Sequence, residues 1–266
     1  MIRFGCCLNM NAAGQPKIGA EAIPLAAKLG FDYIELPLAQ VMELPPDAFR
    51  DLVGKIRSGG LPLEACNNFF PAGIRLTGED ANPAAALEYA GAAAERAAAM
   101  GAAIIVLGSS GAKNIPPGFP HDRAREQFKG LLVKLQALVE PLGITVTLEP
   151  LNTKESNFIT TAAEALALVR ELSLDHIKLL VDYYHLRMEN EDPAVIREAG
   201  EDLRHIHIAS REGRLFPRPG DGENYALFFG LLKAAGYQGR VSVEAFSKDL
   251  QADGPAALSL LRPLAN

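Results

Sequence analysis

The chain has 266 residues, 48% hydrophobic and 22% charged, which excludes disordered, collagen-like and mucin-like proteins and allows two small domains or one large α/β barrel. Its 26 Lys and Arg against 32 Asp and Glu leave a net charge of −6, so no overall field draws it to nucleic acid or an anionic membrane; the arginine-rich stretch 204–218 is interrupted by Glu212, glycine and proline. The apolar run at the start is too short for a signal peptide and no stretch reaches the roughly 18 apolar residues of a membrane span, so a cytoplasmic protein is expected.

In chain order, short apolar runs alternate with longer stretches of helical period. Strands are expected at residues 2–8, 33–36, 61–66, 103–107, 144–149, 177–181, 205–209 and 241–245. The helices between them fall at 21–29, 47–58, 84–100, 123–142, 162–172, 193–199, 225–235 and 254–264. Gly30, Gly101 and Gly143 close helices just before the next strand, as C-terminal caps do. No linker or composition shift interrupts the rhythm, and eight βα units close into a barrel with no edge strand, so residues 1–266 are expected to form a single (β/α)8 TIM barrel.

The three cysteines, Cys6, Cys7 and Cys66, are odd in number and lack CxxC spacing, which favours buried thiols over disulfides or a metal site. The alanine-rich tract at 84–103 reads as a helix packed closely on the barrel, with Tyr89, Ala93, Ala97 and Met100 on one face.

The active site of such a barrel forms where strands end, so polar residues that close an apolar strand carry most weight. Four stand out: Glu149 after Leu148, Asp182 after Val181, His207 within His205-Ile206-His207, and Glu244 after Val243. They lie on strands five to eight, consecutive around the ring, and three carboxylates with one imidazole make a site for one divalent ion, Mn²⁺ first, with Mg²⁺ or Co²⁺ as alternatives. Each acid alone could instead cap the following helix. His205 shares a strand face with His207 and is expected to pack behind it.

At these residues the chain resembles the xylose-isomerase-like barrel superfamily, in particular its ketose 3-epimerase and hydroxypyruvate isomerase branches. The similarity rests on Glu149-Pro150-Leu151-Asn152 with Glu155, Asp182-Tyr183-Tyr184-His185, His205-Ile206-His207, Pro219-Gly220-Asp221-Gly222 and Val243-Glu244; in the first half only the βα rhythm and Tyr33-Ile34-Glu35-Leu36 agree. The resemblance implies that Glu149, Asp182, His207 and Glu244 bind the metal and that Glu155 and His185 contact a small sugar. It also implies a substrate-holding arginine soon after the histidine strand, where a longer segment makes Arg214 and Arg218 compete, with Arg214 preferred.

The chemistry follows from the residues as well. Moving a proton on the carbon beside a carbonyl needs a base, an acid and a stabilised enediolate, with Glu149 and Glu244 placed to face opposite sides of a sugar. The expected activity is a metal-dependent sugar isomerase or epimerase. The alternatives are a lyase like the inosose dehydratases on the same site, a non-catalytic sugar-binding barrel, and an abasic-site endonuclease, which would need more than the five histidines present. Gly108-Ser109-Ser110-Gly111-Ala112-Lys113 lacks the ending of a phosphate loop, no HExxH or GxSxG occurs, and the aromatics of Asn67-Asn68-Phe69-Phe70-Pro71 could line the sugar or simply pack. No nucleic-acid or membrane partner is expected, and a homo-oligomer stays open.

Overall fold

The computed structural model describes residues 1–11 and 17–265. Eight parallel strands, β1 (Arg3–Cys7), β2 (Tyr33–Pro37), β3 (Leu63–Asn67), β4 (Ile104–Leu107), β5 (Thr145–Leu148), β6 (Ile177–Asp182), β7 (Leu203–Ile208) and β8 (Arg240–Val243), close into a barrel in chain order, with β8 pairing back onto β1. All eight expected strands are present, with ends displaced by at most two residues. Long helices, among them Pro46–Ser58, Pro83–Met100, His121–Val139, Ala162–Leu172, Tyr225–Ala234 and Leu250–Ala265, surround the sheet.

The period-two rule divides the strand residues between two cores. Outward residues such as Phe4, Cys6, Ile34, Leu36, Ile105 and Leu107 join the main core beneath the helices, whereas Ala65, Ile104, Val106 and Leu180 form a small separate apolar cluster. Polar side chains fill much of the remaining interior: Tyr33, Glu35, Thr147, His205, His207 and Ser242 are all fully buried. In the alanine-rich helix, Ala93, Ala97 and Met100 are buried as expected, and the three cysteines are buried and free.

Three short helices at the strand ends escaped the sequence reading: Leu38–Met42, Ser110–Lys113 and Tyr183–Glu189. The helix expected at 193–199 shortens to Val195–Ala199, and the last one starts at Leu250, which places Pro255 and Pro263 inside it, where each lacks the N–H of an i→i−4 hydrogen bond. Phe69 and Phe70 pack rather than line the mouth: their rings lie 4.3 Å apart, and Phe70 meets Tyr89 at 5.5 Å. Among the described residues no helix is long and apolar enough to cross a membrane.

Candidate active site

Glu149 continues the β4–β5 ladder through its N–H to Leu107 O (3.2 Å), and Glu244 continues β7–β8 through its N–H to Ile208 O (3.2 Å). Asp182 ends β6 directly opposite His207 of β7. One donor atom from each of these four side chains lies within 4.8 Å of the other three, and all four residues are buried. Gly108, at the end of β4, makes room for this: a Cβ there would sit 2.2 Å from Glu149 Oε2.

Asp182 takes the helix-cap role that the sequence allowed it while also reaching the cluster. Its Oδ1 caps the helix Tyr183–Glu189 by accepting from Tyr184 N–H at 2.9 Å, and its Oδ2 faces the cluster.

His207 Nδ1 faces Glu149 Oε1 at 3.0 Å and Glu244 Oε2 at 3.3 Å, while its Nε2 faces Glu35 Oε1 at 3.0 Å. Glu35 is a residue to which the sequence reading gave no role. Fully buried, its carboxylate also meets His205 Nε2 at 2.9 Å and accepts from Ser242 Oγ at 2.6 Å, and that serine is 2.8 Å from Tyr33 OH. A carboxylate behind an imidazole fixes which nitrogen faces forward. The available signal was an acid in the middle of an apolar strand, Tyr33-Ile34-Glu35-Leu36, since a buried charge demands a partner. His205 packs behind His207, as expected.

Burial works against every charge here, and neighbours decide the outcome. It pushes the Asp182 carboxyl up to about 7, with Arg214 opposing and Glu149 and Glu244 adding to the shift. Burial likewise raises the Glu149 carboxyl, outweighing the His207 bond. For Glu244 the balance reverses: His207 and Arg214 overcome burial and hold it below the usual carboxylate range. His207 is held well above the ordinary imidazole value because Glu244 and Glu35 outweigh burial. The two glutamates are therefore unlike in proton affinity although they share one cluster.

His185, on the helix after β6, receives Asn152 N–H at Nδ1 (3.1 Å) and lies 2.7 Å from Asn152 Nδ2, which assigns its proton to Nε2. Nε2 is buried without a hydrogen-bond partner, 3.4 Å from Asp182 Oδ2. Burial, with Arg214 nearby, pulls its pKa well down, which keeps the ring neutral. Glu155 sits at the mouth, its Oε1 accepting from Asn152 Nδ2 at 2.9 Å.

Of the two competing arginines, only Arg214 reaches the cluster. Its Nη2 contacts Asp182 Oδ2 at 3.2 Å and also Glu244 Oε2, its Nη1 is 3.7 Å from Glu155 Oε2, and its guanidinium lies over the Tyr184 ring at 4.7 Å. A left-handed backbone at Arg214 (φ 51°) turns the side chain inward, anchored by Phe246 N–H to Arg214 O at 2.8 Å. Arg218 is exposed and meets Asp221 through its backbone, its N–H donating to Asp221 Oδ2 at 3.0 Å and its carbonyl accepting from Asp221 N–H at 3.4 Å. Lys113 is buried and donates to the Glu149 carbonyl at 2.9 Å, a structural tie rather than a phosphate grip. Asn67 lies at the end of β3, one residue beyond the expected strand, and its Nδ2 donates to Glu244 Oε1 at 2.8 Å.

Comparison with known proteins places the fold among sugar epimerases. The chain is 29% identical over 254 residues to an L-ribulose 3-epimerase of Methylomonas sp. (strain DH-1), covering 91% of this chain and 82% of that one. It is also 29% identical over 236 residues to a D-psicose 3-epimerase of Agrobacterium fabrum, covering 85% and 78%. In fold it matches the crystal structure of a D-psicose 3-epimerase with D-tagatose from Clostridium cellulolyticum H10 over 100% of both chains, with a TM-score of 0.88 at 20% identity. The family model for the xylose isomerase-like TIM barrel matches residues 23–264, and the chain belongs to that family.

Proposed function

We propose that this protein is a divalent-metal-dependent epimerase or isomerase of a small ketose, working by proton transfer through an enediolate of the sugar. The observation that carries this reading is the buried set of Glu149, Asp182, His207 and Glu244 at the mouth of a barrel whose relatives are sugar 3-epimerases. Three carboxylates held this close need more positive charge than the Arg214 guanidinium and one imidazole provide, and an oxygen-rich donor set suits Mn²⁺, Mg²⁺ or Co²⁺. The residues therefore fit a metal. When bound, such an ion supplies Lewis-acid polarisation to a carbonyl and its neighbouring hydroxyl.

The chain's own groups do the rest. One of Glu149 and Glu244 takes the proton from the carbon beside the carbonyl and the other returns one to the opposite face. His185 aims a neutral Nε2–H donor at a substrate oxygen. Arg214 and Glu155 hold hydroxyls toward the mouth.

Two measurements test the reading. Elemental analysis is expected to find about one divalent ion per chain, removable by chelation. A panel of ketoses supplied with each metal and separated by chromatography is expected to show conversion to an epimer or isomer; protein that holds no metal and converts none of them would sink the reading.

Proton linkage gives a further expectation. Folded metal-free protein keeps a proton on Asp182 up to about pH 7, whereas the unfolded chain loses it near the ordinary aspartate value of 3.8. Between those values the folded state binds the extra proton, so this group makes the metal-free protein less stable as pH rises. A bound cation removes that penalty and itself binds only deprotonated ligands. The gap in Tm between Mn²⁺-supplemented and chelator-treated protein should therefore widen from about pH 5 to about pH 8; a gap that stays flat or narrows counts against the assignment.

A further inference from the structure

Among the described residues, two buried polar atoms beside the carboxylate cluster lack a hydrogen-bond partner, and they are opposite in kind: the donor Nε2–H of His185, on the helix after β6, and the acceptor Oδ1 of Asn67, at the end of β3. Both residues are more than nine-tenths buried, Asn67 at 3% exposure and His185 at 2%. The orientation of the Asn67 amide is forced. Its Nδ2 lies 2.8 Å from Glu244 Oε1 and 3.3 Å from Asn9 Oδ1, both oxygens that only accept. Reversing the amide would set Oδ1 against those two oxygens with no proton between them. The nitrogen therefore points at Glu244 and Asn9, and Oδ1 is left with free lone pairs.

A buried acceptor without a donor is costly to leave unpaired, and a group that carries a hydrogen removes the cost. A hydroxyl can do so; a carbonyl oxygen cannot. At His185 the requirement is reversed, because its Nε2–H needs an acceptor. We infer that Asn67 is a specificity-determining contact whose Oδ1 accepts a hydrogen bond from one ketose hydroxyl and so fixes the direction in which the sugar lies, with the carbonyl toward His185. The inference rests on the ketose reading above and adds to it a residue outside the family motifs found in the sequence. The same amide orients Glu244 through Nδ2, so one side chain ties the position of a substrate hydroxyl to the position of a carboxylate that handles the proton.

A purely structural role for Asn67 and a contact role predict different results. Loss of the Glu244 bond alone weakens all sugars by one common factor. Loss of a hydroxyl contact removes discrimination at a single carbon.

The experiment is isothermal titration of Mn²⁺-supplemented wild-type and Asn67→Ala protein with D-psicose, D-fructose and a set of ketohexoses each lacking one hydroxyl. Wild-type protein is expected to bind one member of the set about tenfold or more weakly than its parent, and Asn67→Ala to bind that member and the parent alike. For the other members the ratio to the parent should be the same in both proteins. Asn67→Leu, which keeps the side-chain volume, should repeat the result and guards against a collapse of the alanine variant, with circular dichroism reporting the fold. An unchanged discrimination profile in both variants, or a uniform loss across the set, overturns the inference and leaves the ketose reading standing. Wild-type protein that binds and converts no ketose overturns both.

Discussion

Glu149→Gln and Glu244→Gln are each expected to lower kcat by roughly 10²- to 10⁴-fold, the range that positioned acid and base groups contribute. Glutamine is close to glutamate in shape and still presents an oxygen to a metal, yet it can neither accept nor return a proton. The environments of the two residues support this pairing of roles. His207 and Arg214 keep Glu244 ionised, with Asn67 and Arg214 each on one of its oxygens, while burial raises the proton affinity of Glu149. A site built to exchange protons across a planar carbon needs that kind of asymmetry. Turnover in D₂O separates proton transfer from its alternative: deuterium is expected on the carbon that inverts or isomerises, because at least one of the two carboxyls exchanges with solvent. Product free of deuterium would point to a hydride shift, and the two glutamates would then keep only a role in holding the cation.

What was legible in the sequence follows from the kind of interaction involved. Strands β1 to β8 were visible because their apolar runs report burial locally, and Glu149, Asp182 and Glu244 were visible because a carboxylate ending such a run lies at the mouth whatever the packing. Glu35 was not, since its partners His205 and His207 lie 170 and 172 positions further along the chain and meet it only when β2 and β7 face each other across the closed barrel. Arg214 and Arg218 are nearly equivalent as sequence; a left-handed φ and the Tyr184 ring beside Arg214 separate them in space. Asn67 carried no signal because an asparagine after a strand ordinarily starts a turn. The helix Tyr183–Glu189 was hidden because the residue that caps it, Asp182, was already assigned to the site.

The second large effect concerns metal retention, and the structure separates Asp182 from His207, which the sequence alone would treat alike, and adds Glu35 as a third position. Asp182→Asn is expected to lose the metal while keeping the fold, because asparagine is an equally good helix cap and can still accept the Tyr184 N–H. His207→Ala should lose the metal too, but at a cost in stability of about 3 kcal/mol, since it leaves the fully buried Glu35 carboxylate with one imidazole partner instead of two. Glu35→Gln leaves all four cluster residues in place and removes only the carboxylate that orients and polarises His207 from behind. Its expected effect is a fall of roughly 10- to 100-fold in metal affinity. Titration calorimetry with Mn²⁺ and thermal unfolding in chelator read these outcomes separately. The assignment predicts low affinity with an unchanged chelator Tm for Asp182→Asn, low affinity with a reduced Tm for His207→Ala, and a partial loss of affinity for Glu35→Gln. If Asp182→Asn bound Mn²⁺ as tightly as the wild type, the cluster would not be the metal site; if Glu35→Gln did so, Glu35 would be a packing residue of the barrel interior with no part in holding the ion.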